Sequence, residues 1–81
     1  MDAQPEGWML ICSNDDQPLV LGNVASVIGE SDVNIANLTL GRDERGGKAF
    51  TLINLDGPLA QDTIEKIKAV KHVNQARQVN L

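Results

Sequence analysis

The chain has 81 residues, a formal net charge of −4 and a pI near 4.6. That length is one small domain, burying about 60% of the surface its unfolded form exposes, and the negative balance is the wrong sign for a phosphate-backbone partner. With one Phe, one Trp and no Tyr, the chain has an aliphatic core to build and lacks the aromatic platforms on which single-stranded nucleic acids stack, which speaks against nucleic-acid binding.

Met1 to Gly7 is polar, carries Pro5 and Gly7, and reads as a leader or linker that attaches the domain to something upstream. Trp8 to Ser13 is a short apolar run bounded by Gly7 and an Asn-Asp-Asp cluster, so it reads as a strand. Apolar residues at both parities mark it as an interior strand, partly covered on both faces. Cys12, the lone cysteine, lies inside it and reads as a small buried hydrophobe. A single cysteine excludes a disulfide within the chain and fits a reducing, cytoplasmic compartment. No run of 18 apolar residues and no signal-peptide pattern occurs, so no membrane partner is expected.

Asn14 to Gln17 reads as a loop, with Asp16 the better candidate cap and Pro18 at the first helical position, where its missing N–H is not needed. Val20, Val24, Val27 and Ile28 form one helical stripe. The opposite side carries Gly22, Asn23, Ser26 and Gly29, small groups that permit a close approach. Ser31 and Asp32 end the helix. Val33 to Gly41 is the second strand, and its apolar parity switches from Val33 and Ile35 to Ala36, Leu38 and Leu40. Such a switch predicts a bend or bulge at Ile35 and Ala36. Arg42 to Lys48, with Gly46-Gly47, is a hairpin connection. Ala49 to Leu55 is the third strand, with Ala49, Thr51, Ile53 and Leu55 on one face. Phe50 and Leu52 on the other face hint at a covering partner. After the Asp56-Gly57-Pro58 turn, Leu59 to Val70 is the second helix, with Ala60, Ile64 and Ile67 inward and an Asp62–Lys66 pair. Val73 to Leu81 is a polar last strand suited to a sheet edge.

The chain also repeats itself. Shifted by 40 residues, Asn14, Asp16, Pro18 and Leu19 fall on Asn54, Asp56, Pro58 and Leu59, while Val33, Asn34 and Ala36 fall on Val73, Asn74 and Ala76. These are seven identities over the 34 positions from Trp8 to Gly41, which marks two like halves within one domain. Two βαβ halves with right-handed crossovers give a ferredoxin-like βαββαβ sandwich, an α+β fold with two helices on one face of a four-stranded antiparallel sheet.

Chemistry is sparse. His72 is the only histidine and reads as a solvated turn residue. Asp15, Asp43, Glu44, Asp62 and Glu65 fall in turns or on a helix surface. No metal-ligand spacing, Gly-rich phosphate loop or nucleophile elbow is present, so no catalytic and no metal-binding residue is expected. The polar groups that gather are Asn14 and Asp16, in the loop before the first helix, and Asn34, which is expected at the same end as it enters the next strand. The helix start attracts a carboxylate, and Asn both donates and accepts. The set therefore suits the ammonium and carboxylate of an amino acid. The alternative is that Asn14 and Asp16 simply build the turn and cap the helix, and the recurrence of Asn54, Asp56 and Asn74 in the second half supports it.

Asn14-Asp15-Asp16-Gln17-Pro18 with Gly22 and Val24, then Val33-Asn34-Ile35-Ala36, Leu40-Gly41-Arg42, Gly46-Gly47-Lys48-Ala49 and Leu52-Ile53-Asn54-Leu55-Asp56, together resemble an ACT domain, the small regulatory module of amino-acid metabolism. The likeness covers residues 8 to 81. Within that family it most resembles the C-terminal regulatory domains of D-3-phosphoglycerate dehydrogenases, with those of iron–sulfur L-serine dehydratases as close cousins. What the resemblance implies is a non-catalytic fragment of an NAD-dependent enzyme of serine synthesis. Two such domains would pair side by side as a homodimer, with L-serine bridging them. Its contacts would map onto Asn14, Asp16 and Asn34. The family usually places Pro-Gly at the helix start, and here Pro18 is followed by Leu19. A ligand-free structural or dimerising module is the competing implication.

Overall fold

The computed structural model describes residues 7–42 and 47–81. Its elements run β1 (Trp8–Asp15), α1 (Val20–Glu30), β2 (Ile35–Arg42), β3 (Lys48–Leu55), α2 (Gln61–Lys68) and β4 (Val73–Asn80). The strands form one sheet in the order β2-β3-β1-β4 with every neighbouring pair antiparallel. This is the ferredoxin-like sandwich, with β1 interior and β4 at an edge as their compositions imply. The leader reading falls on residues outside the description except Gly7, whose N–H donates to the Leu81 carbonyl at 3.0 Å. Residues 43–46 of the hairpin connection likewise lie outside it.

The 40-residue repeat is structural, since β3 begins and ends 40 residues after β1. Helices and sheet meet over an aliphatic core in which Leu10, Ile28, Ile53 and Ile67 are fully buried. Each such side chain contributes about 1.5–3 kcal/mol relative to exposure. Val20, Val24 and Ile28 are the buried stripe of α1, and Val27 packs against the core from its flank. On β3, Ala49, Thr51, Ile53 and Leu55 are buried while Phe50 is exposed, as the alternation requires. The parity switch in β2 is a register irregularity against β3 between Ile35 and Asn37. It turns Ala36 outward and lets both Ile35 and Leu38 reach the core.

Both helix starts differ from the expected ones. α1 begins at Val20, preceded by Leu19 in the left-handed region at φ 72°, and no side chain caps it. Asp16 cannot serve as cap because its carboxylate is held by Arg42 at 3.0 Å and its N–H donates to the Gly47 carbonyl at 2.8 Å. The loop is thus tied to the sheet rather than to the helix. α2 begins at Gln61, because Leu59 is docked elsewhere. Its N–H donates to Gln78 Oε1 at 2.7 Å, Gln78 Nε2 donates back to its carbonyl at 3.3 Å, and its side chain is buried. Ala60, expected inward, is exposed, and Thr63 fills the buried position with Ile64 and Ile67. The Asp62 carboxylate accepts from the Thr63 N–H at 3.0 Å, and the ion pair on this helix joins Lys68 to Glu65 at 3.2 Å.

Candidate functional site

The end of β1 gathers most of the polar chemistry. Asn14 is 9% exposed, and its Nδ2 donates to the Asp15 carbonyl at 2.8 Å. Asp15 alternates to the other face, where Lys48 Nζ lies 2.6 Å from Oδ1 and His72 Nδ1 lies 3.4 Å from Oδ2. Lys48 also donates to Asn74 Oδ1 at 3.3 Å. The Lys48 hydrogen bond, against some desolvation and with help from His72, holds the Asp15 carboxyl below its ordinary value. Next comes the Asp16–Arg42 pair, then Pro18 and Leu19. No side chain caps α1, so its first-turn N–H groups have no side-chain acceptor.

Asn34 is elsewhere. It precedes β2, and its carbonyl accepts the Asp56 N–H at 3.0 Å. Ile35 sits opposite Leu55, which in turn sits opposite Trp8, whereas Asn14 sits opposite Ala49. Six residues of β3 separate the two positions, about 20 Å at strand rise. One chain therefore brings Asn14 and Asp16 together and leaves Asn34 at the far end of the sheet, correcting the expectation of a shared end. Sequence reasoning missed the residues that do join the loop, namely Arg42, Lys48, His72 and Asn74. The repeat carried the signal, because Asn74 stands to Asn14 and Asp16 as Asn34 stands to Asn54 and Asp56.

Cys12 is buried, and desolvation pushes its thiol up to about 11, which leaves it protonated and inert as the small-hydrophobe reading requires. Among the described residues no group of three or more His, Cys, Asp or Glu side chains is placed to hold a metal, and no helix is long and apolar enough to cross a membrane. A groove of about 390 Å³ between the end of α1 and the start of α2 is lined by Ser31, Val33, Pro58 and Thr63 among others, on the Asn34 side.

Fold and site thus define a class: a small βαββαβ module whose polar groups gather at strand ends and helix starts. A family model described as the ACT domain matches residues 8–72. The chain is 36% identical over 77 residues to D-3-phosphoglycerate dehydrogenase of Methanocaldococcus jannaschii, covering 95% of this chain and 15% of that protein. It is 31% identical over 81 residues to the enzyme of that name from Synechocystis sp., covering 100% and 15%. The ACT domain from GTP pyrophosphokinase of Chlorobium tepidum superposes with a TM-score of 0.68 at 14% identity, covering 91% of this chain and 97% of that one, a likeness of fold alone. The chain belongs to the ACT-domain family. It spans about 15% of the length of the curated relatives it matches.

Proposed function

We propose that this chain is the amino-acid-responsive regulatory domain of a D-3-phosphoglycerate dehydrogenase in the cytoplasm, not itself catalytic, and that it acts by pairing with a second copy of itself around L-serine. The observation that carries the reading is the separation of Asn34 from Asn14 and Asp16 on a sheet whose edge strand is β2. β2 ends beside Asp16 through Arg42 and begins beside Asn34. Antiparallel pairing of two β2 strands across a two-fold axis brings the start of one against the end of the other. Asn34 of a second copy then stands near Asp16, and a ligand between them touches both chains. The ammonium fits the Asp16 carboxylate and the Asn oxygens, and the carboxylate fits the uncapped start of α1.

Such a ligand favours the paired state by its differential affinity, and so biases whatever each domain is attached to. NAD, the cofactor of the parent enzyme in this reading, belongs to its catalytic part. Dinucleotides are held where a Gly-rich turn joins a parallel strand to a helix, and every strand pair here is antiparallel.

A second reading, pairing without a ligand, is favoured by Leu19, which projects from the loop where the family has glycine, and by Asp16 being already held by Arg42. The melting temperature measured against a panel of amino acids separates the two. Saturation at 100 times Kd gives about 2.7 kcal/mol of stabilisation. A selective rise with L-serine, lost in Asn34→Ala and in Asp16→Ala, supports the sensor. Mixing those two variants tests the shared site, because each mixed pair holds one intact site, and the serine response returns only if the site spans two chains. No shift with any amino acid at tens of millimolar leaves the ligand-free module.

A further inference from the structure

The helix-free face of the sheet has a composition of its own. Across β3, β1 and β4 run two rows of outward side chains, Leu52–Ile11–Arg77 and Phe50–Ser13–Gln75. Phe50, the one Phe of the chain, is 52% exposed and Ile11 is 39% exposed. Between them and the β4 residues lies a depression of about 240 Å³, lined by Ile11, Cys12, Ser13, Phe50, Gln75 and Arg77. Its floor is apolar, and its cation stands on one side only.

Charge decides what covers it. Among the described residues the strand cations Arg42 and Lys48 are paired with Asp16 and Asp15, and Arg77 forms no ion pair. β2, β3 and β4 contain no Asp or Glu, and β1 contains only Asp15, which Lys48 holds. Among the described strand residues, a second copy laid face to face would offer Arg77 only Asp15, which Lys48 already holds, and burying a guanidinium without a partner opposes association.

We infer that this face docks a segment of a different protein surface, one presenting an apolar side chain together with a carboxylate. The apolar group enters the depression over Ile11 and Phe50, and the carboxylate meets Arg77 in a bidentate pair. Ile11 and Arg77 are directly opposed on neighbouring strands, about 5 Å apart. An extended segment places side chains i and i+2 on one face about 7 Å apart, which suits an aromatic or aliphatic residue followed two positions later by Asp or Glu. The surface is on the opposite side of the sheet from the helices and away from the β2 edge, so the inference stands independently of the pairing proposed above.

The test uses the 81-residue chain and two fluorescein-labelled twelve-residue peptides, identical except that Phe is followed two positions later by Glu in one and by Lys in the other. The Glu peptide is expected to bind at least about tenfold more tightly by anisotropy. Amide shifts should concentrate at Ile11, Ser13, Phe50, Gln75 and Arg77. Arg77→Glu should invert the preference, Arg77→Gln should erase it, and Phe50→Ala should weaken both peptides with an unchanged circular dichroism spectrum. Equal binding of the two peptides, no binding of either, shifts confined to the helices or β2, or a preference untouched by Arg77→Glu would each overturn the inference. So would a change in the sedimentation of the chain alone on Phe50→Ala, because the face would then be a contact between copies.

Discussion

Leu19 holds φ 72° while keeping 77% of its surface exposed. Left-handed backbone costs a leucine about 1–2 kcal/mol, and an exposed side chain returns little of it within one chain. Gly at this position removes the strain and adds about 0.5–1 kcal/mol of unfolded-state entropy to overcome, so Leu19→Gly should stabilise the fold by up to about 1 kcal/mol. Leu19→Ala keeps the strained backbone and should be close to neutral. Urea midpoints of the three proteins check this, and equal destabilisation by both substitutions would mean the leucine makes contacts that matter. Asp15 carries the pH dependence at this scale. Its folded-state carboxyl lies below the ordinary 3.8 because Lys48 donates to it. The stabilisation is therefore in place above the unfolded-state value and is lost as pH falls through the folded one. Asp15→Asn should make urea midpoints fall less between pH 5 and pH 2 than in the parent, and an unchanged acid limb would remove Asp15 from the account. Neither feature was legible in the sequence. Leu19 and Leu59 are equivalent in the repeat, yet one stands in solvent and the other is buried at 4%, a difference decided by Gln78 from a strand 19 residues away.

At the scale of elements, α1 carries two exposed glycines whose added Cβ would meet nothing within 4 Å. A helix former there costs no clash in the single chain, so Gly22→Ala should raise stability by about 1 kcal/mol, or roughly 4–8 °C for a domain of this size. If that face is used for close packing between copies, the same substitution should weaken pairing while stabilising the diluted chain. Melting curves at two concentrations separate the effects, and destabilisation at both would show the glycine is needed within the chain. The elements themselves were legible because period and parity report burial directly. Val20, Val24 and Ile28 announced the covered side of α1, and the shift from Ile35 to Leu38 announced the bulge in β2. Helix starts were not, since Pro18 and Asp16 have the local preferences of a first turn and cap. Arg42, Gly47 and Gln78 override them through contacts that only the folded chain makes.

On the scale of the whole molecule, the sheet has two edges and they are not alike. β4 presents Asn74, Gln75, Arg77, Gln78 and Asn80, side chains that discourage strand addition. β2 presents Ala36, Leu38, Thr39 and Leu40, and Leu40 is 51% exposed on the side the helices occupy. Its cross-strand partner Thr51 is 2% exposed on that same face, so the covered layer stops short of the β2 edge. In the proposed pairing a second copy supplies the cover this apolar edge lacks and sets its Asn34 near Asp16. Leu40→Lys sets a charge on that edge without entering the core. The variant should melt within about 0.5 kcal/mol of the parent as a dilute monomer, as an exposed substitution does. In the proposed pairing it should sediment as a monomer at concentrations where the parent is a dimer, and lose any rise in melting temperature with L-serine. Because Asn14, Asp16 and Asn34 are untouched in Leu40→Lys, a lost serine response would locate the site between chains. A monomer that still answers to serine would place the ligand within one chain, beside Asn74 rather than Asn34. A variant that still forms the parent's dimer would move the contact away from β2 altogether.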